Sequence, residues 1–175
     1  MAETLPAGPV SQAWMETPFG WMAFEARDER LTGIDLHPAD VARPEAERRP
    51  QHALLAEVIR QFERYFTQPA CVFDLPLAEL GTAYQQRLWR ALRAIPVGEV
   101  RSYAALAAQE QSGPRAVASA CRANPFPIIV PCHRVVGAND KLIGFSAIGG
   151  IATKLKMLQI EGWRADEPSL FDALT

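Results

Sequence analysis

Residues 102–122, SYAALAAQEQSGPRAVASACR, decide how the second half of the chain folds. Ser102 is placed to cap a helix beginning at Tyr103, because its hydroxyl can accept an N–H that the first turn leaves unbonded. Gln111-Ser112-Gly113 breaks that helix. Pro114 then opens the next one at its first position, where a missing N–H costs nothing. Two short helices joined by a tight glycine-containing turn form a helix-turn-helix pattern. At about 100° per residue, Arg115, Ala118, Ser119 and Arg122 share one face of the second helix, with Val117, Ala120 and Cys121 roughly opposite. Small side chains on the basic face would let the helix approach a phosphate backbone, and a projecting arginine could enter a groove or the base stack. An ordinary packed helix with two solvated arginines would show the same pattern.

Upstream, Thr82 is a plausible N-cap for a helix through Tyr84, Leu88, Trp89 and Leu92, stopped near Pro96-Val97-Gly98. Further back, Thr17 to Leu36 alternates apolar and polar residues around Asp28-Glu29-Arg30 and predicts a β-hairpin. Residues 37–51 read as a loop. Leu54, Leu55, Val58, Ile59, Phe62, Tyr65 and Phe66 then recur at helical spacing, and the amphipathic helix they predict ends before Pro69. A short strand is expected at Val72 to Leu75. This first half carries no obvious chemistry and reads as a scaffold.

With 175 residues, 49% of them hydrophobic and 22% charged, the composition is that of a soluble globular protein. No stretch approaches the roughly 18 uninterrupted apolar residues of a membrane span, and the N-terminus lacks a secretory pattern, so a cytoplasmic protein without membrane association is expected. Cys71, Cys121 and Cys132 form no CxxC pair and are odd in number, which suits a reducing compartment. His37, His52 and His133 do not cluster with them, so no structural zinc is expected. The net charge of −2 hides an asymmetry: residues 1–83 carry −6, residues 84–165 carry +7, and the last ten carry −3. A phosphate-binding domain joined to an acidic partner would show this, as would a chance distribution of surface charge.

Downstream lies NPFPIIVPCHRVV, residues 124–136, an apolar run bracketed by prolines that reads as a buried extended segment leading into a turn. Its Cys-His-Arg centre is the anomaly, since buried polar groups must be paired or functional. A thiol is a nucleophile only as thiolate, and His133 and Arg134 offer a base and a positive field that would generate one. Neighbours in a regular strand point to opposite faces, so His133 would reach Cys132 only across a turn or through a bridging water. An inert buried thiol is the alternative. The last helix, about Ile151 to Ile160, is expected to bury Ile151, Leu155 and Leu158 and to end at Gly162. Glu161 sits at its C-terminal end, where the helix dipole disfavours a carboxylate, so it is either solvated or partnered elsewhere. If partnered, it could hold the His133 tautomer and complete a Cys, His and Glu relay.

The run NPFPIIVPCHRVVG, preceded by PRAVASACRA and followed by GFSAIGGIATKLKMLQIEG, resembles the O6-alkylguanine-DNA alkyltransferase family, the methylated-DNA–protein-cysteine methyltransferases. The likeness continues through Tyr84 to Trp89 and Ile95 to Tyr103. It is dense over residues 82–163 and looser over 15–80. The resemblance implies an α/β plus α fold: a ribonuclease-H-like α/β domain over 1–80, then a winged helix-turn-helix domain over 81–175 with an acidic C-terminal tail. It implies that Cys132 accepts the alkyl group, that His133 is the base acting through water, and that Glu161 orients it. Asn124 would brace the turn, and Tyr103 would assist departure of guanine. Arg115 would fill the space left by a flipped base, with Ser119, Arg122 and Arg134 as further DNA contacts. Pro127, Val135, Phe145, Ser146, Ala147 and Lys154 would line or border the guanine pocket.

The implied activity is a single irreversible transfer from O6-alkylguanine, and from O4-alkylthymine, in double-stranded DNA, by a monomer without cofactor. Ala118 and Ala123 depart from the family's frequent glycines. The loop from Gly144 to Lys154 is one residue longer than in some members, which leaves open which of Phe145, Ser146 and Ala147 meets the base. Zinc, held by N-terminal residues in some relatives, is not expected here. The competing expectation is a lesion-sensing DNA-binding protein that flips the base without transfer; such proteins lack the acceptor thiol.

Overall fold

The computed structural model describes residues 6–45, 52–144 and 149–164. The chain divides into two compact units, Met1–Thr82 and Ala83–Thr175.

In the first unit, β1 (Ser11–Thr17), β2 (Gly20–Arg27) and β3 (Arg30–His37) form an antiparallel sheet in sequence order. The predicted hairpin is β2–β3. Its two-residue loop, Asp28-Glu29, has φ of 45° and 58°, as a type I′ turn requires to match the twist of the strands. Strand β1 is not apparent from the sequence; its buried residues are only Ala13 and Met15, too weak an alternation to stand out. Helix α1 (Ala53–Thr67) packs on this sheet through Leu55, Val58, Phe62 and Tyr65. Each such burial is worth about 1.5–3 kcal/mol against exposure. The expected strand at Val72 to Leu75 does not form. Gln61 of α1 takes its place as a partner, donating to the carbonyl of Asp74 and accepting from the Asp74 N–H, both at 2.9 Å. Pairing with the sheet is confined to a bridge between Leu31 and Leu77.

The second unit contains α2 (Ala83–Arg93), β4 (Arg101–Ser102), α3 (Tyr103–Gln109), α4 (Pro114–Arg122), β5 (Val135–Val136) and α5 (Gly150–Ile160). The Ser102 hydroxyl accepts from the Ala105 N–H at 3.0 Å, and Pro114 is the first residue of α4, both as expected from sequence. Tyr84 and Ser112 share a hydrogen bond at 2.9 Å, and Arg87 pairs with Glu110 at 3.0 Å. These fasten α2 to the turn between α3 and α4. From the other side, the Trp89 indole donates to the Ala120 carbonyl at 2.9 Å. The orientation of α4 is thus set from its buried face, where Val117 and Ala120 lie, while Arg115, Ser119 and Arg122 stay on the accessible side.

Strands β4 and β5 pair in parallel over two residues each. Behind them Val136, Leu142, Leu158 and Trp163 form a small core. Helix α5 does not bury the expected face. Ile151 is 40% exposed and Leu155 only half-buried, whereas Thr153, Lys154, Met157 and Leu158 are buried. Its inward stripe is partly polar because it delivers Lys154 to the interior. No helix among the described residues is long and apolar enough to cross a membrane.

Candidate active site and DNA interface

All of the site's described residues belong to the second unit. After α4 the chain turns at Asn124, whose amide organises the loop as far as Cys132. Its oxygen accepts from the Phe126 N–H at 2.9 Å, and its nitrogen donates to the Val130 carbonyl at 2.8 Å and to Cys132 Sγ at 3.4 Å. The segment expected to be extended is therefore a tight loop. The Val130 N–H reaches the Phe126 carbonyl at 2.8 Å, and Ile128 has φ of 74°. A β-branched residue in that region costs about 1–3 kcal/mol and persists only where its surroundings hold it. Here Phe126, Ile128, Ile129 and Val130 are all buried.

The loop delivers Cys132-His133-Arg134 as one 3-10 turn. Successive side chains on such a turn diverge by about 120°, so Cys132 and His133 do not face opposite ways as they would in a strand. His133 and Arg134 are both buried and both meet Glu161, which follows the last residue of α5. His133 Nε2 lies 2.8 Å from Glu161 Oε1; Arg134 Nε and Nη2 donate to Oε2 and Oε1, each at 2.8 Å. A third Arg134 donor, Nη1, goes to the Ile95 carbonyl. Glu161 is therefore partnered, not solvated. Burial opposes its ionisation, but the hydrogen bonds from Arg134 and His133 outweigh that and bring its pKa down to about 2. Gly98, at φ of 80°, lets the preceding turn come close; a Cβ there would lie 3.2 Å from the Glu161 carbonyl oxygen.

Arg134, expected at the DNA face, is not on it. Its guanidinium is consumed by Glu161 and Ile95 in the interior, where a carboxylate and a carbonyl satisfy it. Burial holds the His133 imidazole below its ordinary pKa in spite of Glu161, so the ring is neutral at rest. With Nε2 engaged by the carboxylate, the buried Nδ1 atom has no hydrogen-bond partner among the described residues.

Cys132 is half-buried. Burial pushes its thiol up from the ordinary value, opposed by the Asn124 hydrogen bond and the charge of Lys154. Cys121, on α4, is a neighbour that helical periodicity assigns only to the core face. Burial and Cys132 raise it to about 12. The Tyr103 hydroxyl donates to the Gly144 carbonyl at 2.9 Å, and burial keeps it protonated well above its ordinary range. Lys154 is fully buried, with its ammonium bonded to the carbonyls of Val135 and Ile143 and 5.9 Å from the centre of the Tyr103 ring.

Asn124, Cys132, His133 and Glu161 thus form one chain of neighbours, and Tyr103 and Lys154 join them across Gly144 and Val135. Val135 is fully buried, and Pro127 is half-buried in the loop. Phe145, Ser146 and Ala147 lie outside the described residues. Arg115, Ser119 and Arg122 lie together on the accessible face of α4.

Known proteins resemble this chain in sequence and in fold. Residues 83–163 match the family described as 6-O-methylguanine DNA methyltransferase, DNA binding domain. The constitutive methylated-DNA–protein-cysteine methyltransferase of Bacillus subtilis is 40% identical over 154 residues, covering 83% of this chain and 92% of that protein. The crystal structure of the Mycobacterium tuberculosis O6-methylguanine methyltransferase is 34% identical, with a TM-score of 0.72 over 93% of this chain and 99% of that one. A crystal structure of the M. tuberculosis protein OGT in complex with DNA aligns at a TM-score of 0.71 and 34% identity, covering 87% of this chain and 93% of that one. This chain, mixed α/β like those structures, belongs to the methylated-DNA–protein-cysteine methyltransferase family.

Proposed function

We infer that the protein repairs alkylated DNA by moving the alkyl group from O6 of guanine to Sγ of Cys132, once per molecule. The observation that carries this is the Cys132 turn: a half-buried thiol bonded to Asn124, next in sequence to a buried imidazole fixed by Glu161. O4-alkylthymine, with its alkyl carbon on a comparable oxygen, is a second substrate of the same chemistry.

The alkyl carbon lies inside a stacked duplex, so the base is extruded before an in-line attack. Arg115 on α4 fills the vacancy, while Ser119 and Arg122 hold the backbone. His133, held by Glu161, takes the thiol proton at Nδ1 through a water, and the imidazolium that results is stabilised by the carboxylate. The C–S bond forms as the C–O bond breaks. Guanine leaves as an anion and takes a proton from Tyr103, and the tyrosinate is reprotonated through solvent as His133 gives up the proton it took from the thiol, so the thiol's proton is in balance with the one the base takes up. Asn124 braces the turn, and Pro127, Val135 and residues 145–147 border the base. The thioether product has no hydrolytic exit, and the protein is spent.

For the fold, we propose a ribonuclease-H-like domain over 1–80 and a winged helix-turn-helix domain over 81–175. The antiparallel β1–β3 sheet covered by α1 supports the first, and the α3–turn–α4 pair with the β4–β5 pairing supports the second. The expected setting is a cytoplasmic monomer acting without a cofactor.

Incubation with duplex DNA containing one O6-methylguanine tests the function. Intact-protein mass spectrometry should show one added methyl group per molecule and no turnover beyond it. Base flipping without any mass change would return the protein to the lesion-sensing class.

A further inference from the structure

We propose that Cys121 is a resolving thiol for Cys132: once a peroxide has oxidised the nucleophile, Cys121 closes a disulfide with it, and the protein cannot accept an alkyl group until a thiol reductant reopens the bridge. The consequence for repair rests on Cys132 being the alkyl acceptor; the bridge itself does not.

Alkyl transfer leaves Cys121 unused. It lies in the last turn of α4, one residue before the helix ends at Arg122, and like Cys132 it is half-buried. A single residue ties the two together. The Asn124 N–H donates to the Cys121 carbonyl at 3.3 Å, while Asn124 Nδ2 donates to Cys132 Sγ at 3.4 Å. The same nitrogen holds the Val130 carbonyl at 2.8 Å, which in turn accepts from the Cys132 N–H at 2.8 Å. Both the sulfur and the backbone of the nucleophile are thus fixed against the end of α4, where the second thiol sits.

The two thiols also share their surroundings. Burial keeps Cys121 protonated, with a pKa of about 12, and negative charge on Cys132 adds to that rise. Burial raises the Tyr103 phenol, and both cysteines raise it further. Burial lowers Lys154 to about 8, and both cysteines pull it back up. One cluster therefore collects a thiol from α4, a thiol from the 3-10 turn, a phenol from α3 and an ammonium from α5. Cys71 belongs to the first unit.

The order of events follows from the two environments. Cys132 has the Asn124 donor and the Lys154 charge working against its burial, so it is the sulfur that meets the oxidant. Its sulfur attacks hydrogen peroxide: an S–O bond forms as the O–O bond breaks, the thiol is oxidised to a sulfenic acid and the peroxide is reduced to water. The Cys121 sulfur then attacks the Cys132 sulfur. An S–S bond forms as the S–O bond breaks, and the departing hydroxide takes the Cys121 proton as a second water. Two thiols and one peroxide give one disulfide and two waters. The bridge is neutral, so it removes the repulsion and the desolvation cost that a thiolate at either position would carry. It also intercepts the sulfenic acid before a second peroxide converts it irreversibly to sulfinic acid, and exchange with a small thiol such as glutathione restores both cysteines. A protein that is consumed by one transfer would otherwise lose its single use to an oxidant.

The test treats the full chain with hydrogen peroxide in the absence of DNA, caps free thiols with iodoacetamide and maps the peptides by mass spectrometry. We expect the intact mass to fall by two hydrogens and a peptide linking Cys121 to Cys132 to appear. Because a disulfide requires Cα atoms within about 7 Å of each other, that peptide reports the proximity directly. Methyl uptake from O6-methylguanine duplex should be lost on oxidation and return with reduced glutathione. In Cys121→Ser the unoxidised protein should transfer as wild type does, whereas after peroxide Cys132 should advance to sulfinic acid and glutathione should no longer restore uptake. Sulfinic acid at Cys132 of the wild type without the linked peptide, or a bridge that involves Cys71, overturns the proposal. The wild-type peptide map decides by itself if Cys121→Ser does not fold. A linked peptide in a protein whose reduced form takes no methyl group from DNA would refute the repair function and leave the bridge standing.

Discussion

The Nε2 atom of His133 and the Oε1 atom of Glu161 lie 2.8 Å apart in the interior, and the same oxygen accepts from Arg134 Nη2 at 2.8 Å. One carboxylate thus orients the imidazole and neutralises the guanidinium. Glu161→Gln should slow transfer on saturating DNA by roughly 100-fold while leaving DNA affinity within about twofold. It should also destabilise the fold by about 3–5 kcal/mol, because the Arg134 charge stays buried and unmatched. Single-turnover rates and binding isotherms taken well below the melting temperature separate the two effects. A wild-type rate would remove Glu161 from the chemistry.

Cys132→Ser should abolish methyl uptake and preserve DNA binding. Cys121, held protonated by burial and its neighbours, should remain unmodified in both proteins. Peptide mapping after reaction checks this, and methyl groups on Cys121 or Cys71 would contradict it.

Arg115 and Arg122 share the accessible face of α4 but are expected to differ in task. Arg115→Ala should slow transfer on duplex DNA about tenfold or more and leave a short single-stranded substrate nearly unaffected, because only a duplex has a vacancy to fill. Arg122→Ala should weaken affinity for both and reduce its salt dependence. Equal slowing of both substrates by Arg115→Ala would make it one more phosphate contact.

Acid should unfold the second unit through the same buried cluster. Burial holds His133 below its ordinary 6.5, so the unfolded chain takes a proton there that the folded one refuses, and stability falls once pH drops through 6.5. Glu161, at about 2 when folded against an ordinary 4.5, contributes about 3 kcal/mol above pH 4.5 that is lost as pH falls toward 2. Denaturant melts from pH 7 to pH 3 should show both losses. A flat profile across that range would mean the cluster is not buried as described.

Much of the second unit is legible in the sequence because its signals are local. The Ser102 cap and Pro114 start act within one helical turn, and the accessible face of α4 follows from helical periodicity alone. One misreading is local: the segment read as extended is closed into a tight loop by Asn124, through Phe126 and Val130. The others come from partners more distant in sequence. Nothing near Val72 reveals that Gln61 will serve Asp74 as a strand would. Apolar periodicity puts Ile151 inside, whereas the helix turns to bury Lys154, a demand set by carbonyls at Val135 and Ile143. Arg134 resembles a phosphate ligand in sequence because its carboxylate partner is 27 positions away. The Cys132, His133 and Glu161 relay is open to residue chemistry as one alternative, whereas Asn124 and Tyr103 join it only through the family likeness; local periodicity connects none of them.

The Tyr103 hydroxyl already donates to the Gly144 carbonyl at 2.9 Å. A base that recruits this phenol must draw it away from a partner as good as the one it offers, so the exchange is nearly neutral in free energy. Whatever Tyr103 contributes to an incoming guanine therefore belongs to the speed of bond breaking, and almost none of it to how tightly the lesion is held.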